Sequence, residues 1–382
     1  MMLKRLVIGI LLLITVLEVV DLETGGPAVL GAYFEQVFAP MGPGGPAGPE
    51  AGPGSYGDAR SYAVSGKLTG SAQGVSAFSV DNRRGSVAVT GSSSDRIDVE
   101  YTVTVYADSE ETAKRYTEEL KPALKAVGSV LSLAVGQREL PFSSGVRGIQ
   151  IDYAISIPKG MGLKVVNAVG PVRVTGMGSD VTIQNRFGPA TVADVRGDVD
   201  VECAVGYTEV TNVYGNLNLN NRNQGSRVSN VKGSVTASVQ VGNLDVEQVA
   251  GNVVASIVYG NTSIEGVSGS AEVHSSVGDL AISNVKGPVT GDSRFGAISV
   301  SGISNSSRLV ARNGSISVEL ARGAGGYKLD ATVRNGRITT NLPLQVVRSE
   351  AERKERLEGS IDGGRFDIKL VSEYGDIDIT MK

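Results

Sequence analysis

Residues 197–214 read GDVDVECAVGYTEVTNVY and residues 215–232 read GNLNLNNRNQGSRVSNVK. Each stretch opens on Gly, alternates polar and apolar residues, pauses near a second Gly and alternates again. The same 18-residue unit runs nine times without a gap from Met161 to Arg322. Six units open on Gly, at Gly197, Gly215, Gly233, Gly251, Gly269 and Gly287. A second Gly stands nine residues on, at Gly170, Gly188, Gly206, Gly242, Gly260, Gly278, Gly296 and Gly314; the one departure is Gln224, where Gly225 comes one place late. The fourteenth position is β-branched in all nine units: Val174, Val192, Val210, Val228, Val246, Ile264, Ile282, Val300 and Val318. The third and fifth positions are mostly apolar, as in Val199/Val201, Leu217/Leu219 and Val181/Ile183. Alternation of period two, bounded by Gly, Asn and Asp, predicts short strands joined by tight turns.

A unit this short cannot bury an apolar face alone, so copies must stack. Two strands per unit, kept in register, predict an all-β parallel β-solenoid: a single-stranded β-helix with 18-residue rungs. Rungs ~4.8 Å apart give nine of them a length of roughly 43 Å. Like residues then lie on like, and the β-branched column becomes one internal rib. The crossover rule makes the expected coil right-handed. Eighteen residues is also the coil of a hexapeptide left-handed β-helix, which needs an aliphatic residue every six positions. Position fifteen reads Thr175, Ala193, Thr211, Ser229, Glu247, Glu265, Ser283, Ser301 and Glu319, so that rib is missing. Position sixteen carries Asp194, Asn212, Asn230, Gln248 and Asn284, and stacked amides at a turn predict a hydrogen-bonded ladder of structural rather than binding character.

The whole chain has 382 residues, 50 of them Gly and 13 Pro, with 36 basic against 40 acidic residues and a net charge of -4. That balance argues against nucleic acid as a partner, since such binding runs on clustered positive charge. One Cys (Cys203) excludes an intrachain disulfide framework, and with one His (His274) it leaves no zinc constellation. No cofactor or metal is expected.

Lys4 and Arg5 precede an apolar run from Leu6 to Val20, interrupted only by Glu18. As a helix those residues would reach roughly 22 Å, short of the ~30 Å hydrocarbon core. A basic start and a short apolar stretch are the layout of a secretory signal. Residues 1–24 are therefore read as a signal peptide or a short retained anchor, and the chain as exported to the cell envelope, periplasm or surface. Any membrane contact would be through that segment, if uncleaved. Residues 25–58, with Gly42-Pro-Gly, Gly45-Pro-Ala and Gly48-Pro-Glu in succession, read as an extended linker.

Residues 59–160 form an N-terminal β flank. Val99, Tyr101, Val103 and Val105 mark a strand over Arg96–Ala107, and strands are also expected at Val130–Val135 and Gly148–Ile157. Between them Asp108 is expected to cap a helix over 109–127, with Ala113, Tyr116, Leu120, Leu124 and Val127 on one face and Pro122 kinking or splitting it. Ile157-Pro-Lys-Gly160 leads into the first rung. Residues 323–382 hold C-terminal rungs, with a charged insertion at 348–358 read as a solvated loop or short helix.

With a strand–helix–strand lead, the Ile157-Pro-Lys-Gly turn, repeated Asn-Gly or Tyr-Gly followed by x-Ile-x-Ile, a Gly-Gly loop and a final Tyr374-Gly-Asp-Ile-Asp-Ile, the chain resembles the bacterial putative-adhesin β-strand-repeat family, a domain of unknown function. The resemblance covers Val80 to Met381. It implies an exported envelope β-solenoid without a settled ligand, and the family brings no catalytic residues to carry over.

Parallel β-solenoids also host glycan-active enzymes, which use clustered acids on an outer sheet. The candidate here is Asp198, Asp200 and Glu202, at alternate positions and so on one outward face. Paired carboxylates could serve acid–base work on a glycoside. Neighbouring rungs, however, supply Thr182, Gln184, Asn218 and Asn220, with no basic column and no aromatic platform beside the acids. The three are a possible surface contact, not a catalytic site. His274, the sole imidazole, lies outward beside Glu272 and Ser276, and Cys203 is expected inward or at a corner. The expected function is a non-enzymatic, adhesin-like or scaffolding envelope protein that meets an envelope protein or a glycan surface. A membrane-proximal stress or signalling partner is the alternative, and a glycan-active β-helix enzyme the second.

Overall fold

The computed structural model describes residues 60–135, 145–322, 325–351 and 353–382; the signal and linker readings lie outside them. These residues form a parallel β-solenoid with, among them, one short helix. Its strands form two long sheets, of 16 and 15 strands. Every coil gives one strand to each sheet. Val199–Val205 lies in the first sheet between Val181–Phe187 and Leu217–Asn223, and Thr208–Val213 lies in the second between Ala190–Val195 and Ser226–Val231. Pairing is residue on equivalent residue: Val210 faces Val192 on one side and Val228 on the other.

Inward side chains come from positions three, five and seven of the first strand and from positions twelve, fourteen and seventeen of the second. Strict alternation cannot send both fourteen and seventeen inward. Position sixteen makes up the difference by turning left-handed: φ is 57° at Asp194, 56° at Asn212, 55° at Asn230, 58° at Gln248 and 55° at Asn284, and 72° where Gly176, Gly266 and Gly302 take the place. Only Gly, Asn, Asp and close relatives enter that region cheaply, which is why the column is so restricted. The expected ladder forms over three coils, Asn212 Nδ2 donating to Asp194 Oδ1 (2.8 Å) and Asn230 Nδ2 to Asn212 Oδ1 (2.7 Å).

The corner after the first strand carries the other Gly column, at φ of 130° to 157° from Gly170 to Gly296. Here consecutive coils come so close that a Cβ on Gly206 would sit 1.9 Å from the Gly188 carbonyl oxygen. Gln224 occupies this place with φ 100° and keeps its backbone bond to Val241 O (2.8 Å).

Order in space departs from order in sequence at both ends. Ala77–Asn82 and Val87–Ser92 form a coil that stacks directly on the first of the nine. The chain then leaves to build the cap before returning through Val146–Pro158. At the other end Phe366–Tyr374 and Ile377–Met381 stack on the ninth coil, and Tyr327–Arg334 with Ile338–Thr340 stack outside them. Residues 348–358 are not a solvated loop or helix. Val346–Ser349 and Lys354–Ile361 pair antiparallel as a hairpin on the end of the first sheet, with Leu357 fully buried.

The flank helix α1 spans Glu110–Glu119, not 109–127. Its cap is Ser109, whose Oγ accepts from Thr112 N (3.2 Å), whereas Asp108 pairs with Arg147 (2.7 Å). Pro122 is disfavoured inside a helix and its ring pushes Lys121 out of the α region. Leu124 and Val127 therefore belong to a strand, Ala123–Val127. Among the described residues no helix is long and apolar enough to cross a membrane.

Candidate binding surface on the solenoid

Asp198, Asp200 and Glu202 sit at the start and outer face of one strand, as the alternation places them. Each is engaged with the next coil. Asp198 Oδ1 accepts from Asn216 N (2.7 Å), Asp200 Oδ1 from Asn218 Nδ2 (3.2 Å), and Glu202 Oε1 pairs with Arg222 (3.2 Å). The Asp198 contact is one step of a ladder along this corner. Asp180 Oδ1 accepts from Asp198 N (2.9 Å), Asn216 Oδ1 from Ser234 N (3.0 Å), Ser234 Oγ from Asn252 N (3.1 Å) and Asn252 Oδ1 from Ser270 N (2.9 Å). A shallow, open groove of about 400 Å³ runs over it between Asp180 and Thr236. Arg222 is a basic partner that the sequence reading did not place beside the acids. Among the described residues no three or more His, Cys, Asp or Glu stand together to hold a metal ion. His274 lies outward between Glu272 (3.1 Å) and Asp292 (3.4 Å), the latter from the next coil.

Inside the same strands, position seven forms a polar column missed in the sequence, although Asn and Ser recur there. Asn185 Nδ2 donates to Gly188 O (2.8 Å), Asn221 Nδ2 to Gly206 O (3.0 Å), Ser293 Oγ to Gly296 O (3.0 Å) and Ser372 Oγ to Gly375 O (3.0 Å). These bonds satisfy carbonyls at the tight Gly corner that would otherwise be buried unpaired. Cys203 takes one place in the column, fully buried near Gly188 O (3.6 Å) and Gly206 O (3.5 Å).

Burial pushes the Cys203 thiol up to about 11 from an ordinary 9.0, offset in part by a hydrogen bond with Thr208. The folded chain holds the neutral thiol, while the unfolded chain ionises it near its ordinary value. Stability from this group is thus intact below about pH 9 and falls as pH rises toward about 11, by roughly 2–3 kcal/mol in all. The urea midpoint is expected to fall over that window more steeply in the native sequence than in Cys203→Ser. A thiol reagent at neutral pH should leave the folded chain unmodified; ready labelling would show the corner to be open.

A further column appears at position nine, the residue before each corner Gly. Backbone pairing joins Tyr259 to Val277, Val277 to Phe295, Phe295 to Asn313 and Asn313 to Tyr374. Phe295 is 49% exposed and Tyr374 57%. Phe187 stands in the same column, four coils before Tyr259, beneath the Arg186 guanidinium (5.7 Å). This column lies at the end of the strands opposite the acids.

The chain is similar to solved bacterial proteins described as putative adhesins. One from Parabacteroides merdae is 12% identical, with 83% of this chain and 95% of that one covered and a TM-score of 0.29. One from Parabacteroides distasonis is 12% identical over 83% and 97%, with a TM-score of 0.27. A third, from Bacteroides fragilis, is 13% identical over 84% and 97%, with a TM-score of 0.23. No family model and no curated protein matches the sequence.

Proposed function

We propose that this chain is an exported, non-enzymatic protein of the cell envelope whose solenoid presents a repetitive surface, adhesin-like or scaffolding, to an envelope protein or a glycan. The observation that carries this reading is how the outward polar groups are used. Asp198, Asp200 and Glu202, the groups best placed for chemistry, are bonded to the neighbouring coil, and the corner column of Asp, Asn and Ser serves coil stacking in the same way. What the rod then offers is a long, open sheet face. Export rests on Lys4, Arg5 and the apolar run Leu6–Val20. The test is a C-terminal tag on the protein in intact cells, exposed to added protease. Removal of the tag is expected. A tag that survives until the envelope is opened would overturn the adhesive reading in favour of a partner within the envelope.

A further inference from the structure

We infer that the position-nine column is a binding ridge for an extended β-1,4-linked polysaccharide, an inference that rests on the adhesin-like reading and names its ligand class. Its aromatic members all fall on alternate coils: Phe187, then Tyr259, Phe295 and Tyr374 at two-coil steps along the last stretch. Coils ~4.8 Å apart set those rings roughly 10 Å apart along the axis. A β-1,4-linked chain in its extended form repeats after two sugar rings, a length close to two coils. Every second pyranose therefore presents the same face at the spacing of the aromatic rings. The C–H face of a pyranose stacks on an aromatic ring, and Phe and Tyr offer that area at small cost in side-chain freedom.

The places between Tyr259, Phe295 and Tyr374 are filled by the smaller Val277 and Asn313; Phe295 and Tyr374 are exposed, and Tyr259 and Phe187 are half-buried. Arg294 and Arg312, both exposed, stand one residue before Phe295 and Asn313 and supply donors for sugar hydroxyls beside the rings. A peptide strand fits this corner poorly. The backbone groups here already bond from coil to coil, as Gly278 N does to Phe295 O (2.8 Å) and Gly296 N to Asn313 O (3.1 Å), so no strand edge is on offer.

The test is calorimetric titration of the full chain with cellohexaose and chitohexaose, with the α-1,4-linked maltohexaose as control. At least one β-1,4 hexasaccharide is expected to bind, and its disaccharide to bind at least tenfold more weakly. Phe295→Ala and Tyr374→Ala should each weaken binding about tenfold or more, while Phe295→Tyr retains it. Because both rings are half exposed, the alanine variants should melt as the native chain does. Failure of both β-1,4 hexasaccharides to bind, equal binding of maltohexaose, or alanine variants that bind normally would overturn the inference. The two proposals fail separately. A shaved tag with no glycan binding removes only the ligand class, and glycan binding by a chain held inside the envelope removes only the adhesive role.

Discussion

Val246→Asp is expected to break the solenoid in its middle, at a cost above about 4 kcal/mol. Val246 is fully buried, and its neighbours in the rib are Val228 on one coil and Ile264 on the next. The substitution forfeits roughly 1.5–3 kcal/mol of burial. It also places a carboxyl among valines and isoleucines, where the charged form has no partner and must either stay desolvated or take up a proton. That second part depends on pH. The introduced carboxyl would have a raised folded-state value, so its penalty is absent below about pH 4 and grows as pH rises toward that raised value. Coils contact only their neighbours, so damage at one coil need not unfold the others. Limited proteolysis should therefore cut first near the substituted coil, with a circular-dichroism melt that loses amplitude or midpoint. A melt unchanged from the native chain would refute the inward placement of position fourteen.

The rib was legible because one column of nine β-branched residues has a single explanation once the unit stacks. Position sixteen was legible for a related reason. In eight of the nine units the place holds only Asp, Asn, Gln or Gly, and the left-handed φ there is the constraint; the ninth has Leu320, which the register shift pairs with Ile303 instead. Position seven was harder, because Asn185, Cys203, Val239 and Ser293 share burial but not polarity. Its meaning lies in the Gly carbonyls three residues on, which a sequence does not display.

Leu124 and Val127 continue the helix's apolar period past Pro122, so periodicity alone extends the expected helix to 127, whereas the missing N–H of Pro122 ends it and a strand follows. The charged insertion misled in a similar way. Lys354–Ile361 alternates Glu355 and Leu357 inward with Arg356 and Glu358 outward, but the run of charge hides that two-residue period. As for the acids, their outward face followed from alternation, whereas their engagement with Asn216, Asn218 and Arg222 required the register of the next coil. The aromatic column was the least legible element. Ser306 and Asp367, on adjacent coils, are 61 residues apart in sequence, so Tyr374 joins the register of Phe295 only after the chain has gone out and come back.

Gly260→Ala is expected to cost more than about 3 kcal/mol although it adds a single methyl group. Gly260 has φ 148°, outside the ordinary range of a residue with a Cβ, and that Cβ would lie 1.9 Å from Gly242 O and 2.5 Å from its carbonyl carbon. Both are backbone atoms. Relief would require the two coils to part, and the bonds of Gly242 N to Tyr259 O (2.8 Å) and Gly260 N to Val277 O (2.9 Å) hold them at this spacing. Gly266, six residues later, is the internal control. Its φ of 72° is one that Asn already adopts on other coils, and the nearest atom to an added Cβ is 3.6 Å away. Gly266→Asn should leave the chain as stable as before, or gain up to about 1 kcal/mol by restricting the unfolded state. Parallel urea titrations of the two variants separate close approach from backbone freedom. If both lose stability equally, left-handed φ alone decides where Gly is needed; a loss confined to Gly260→Ala makes contact between coils the reason for the nine-residue beat of glycine.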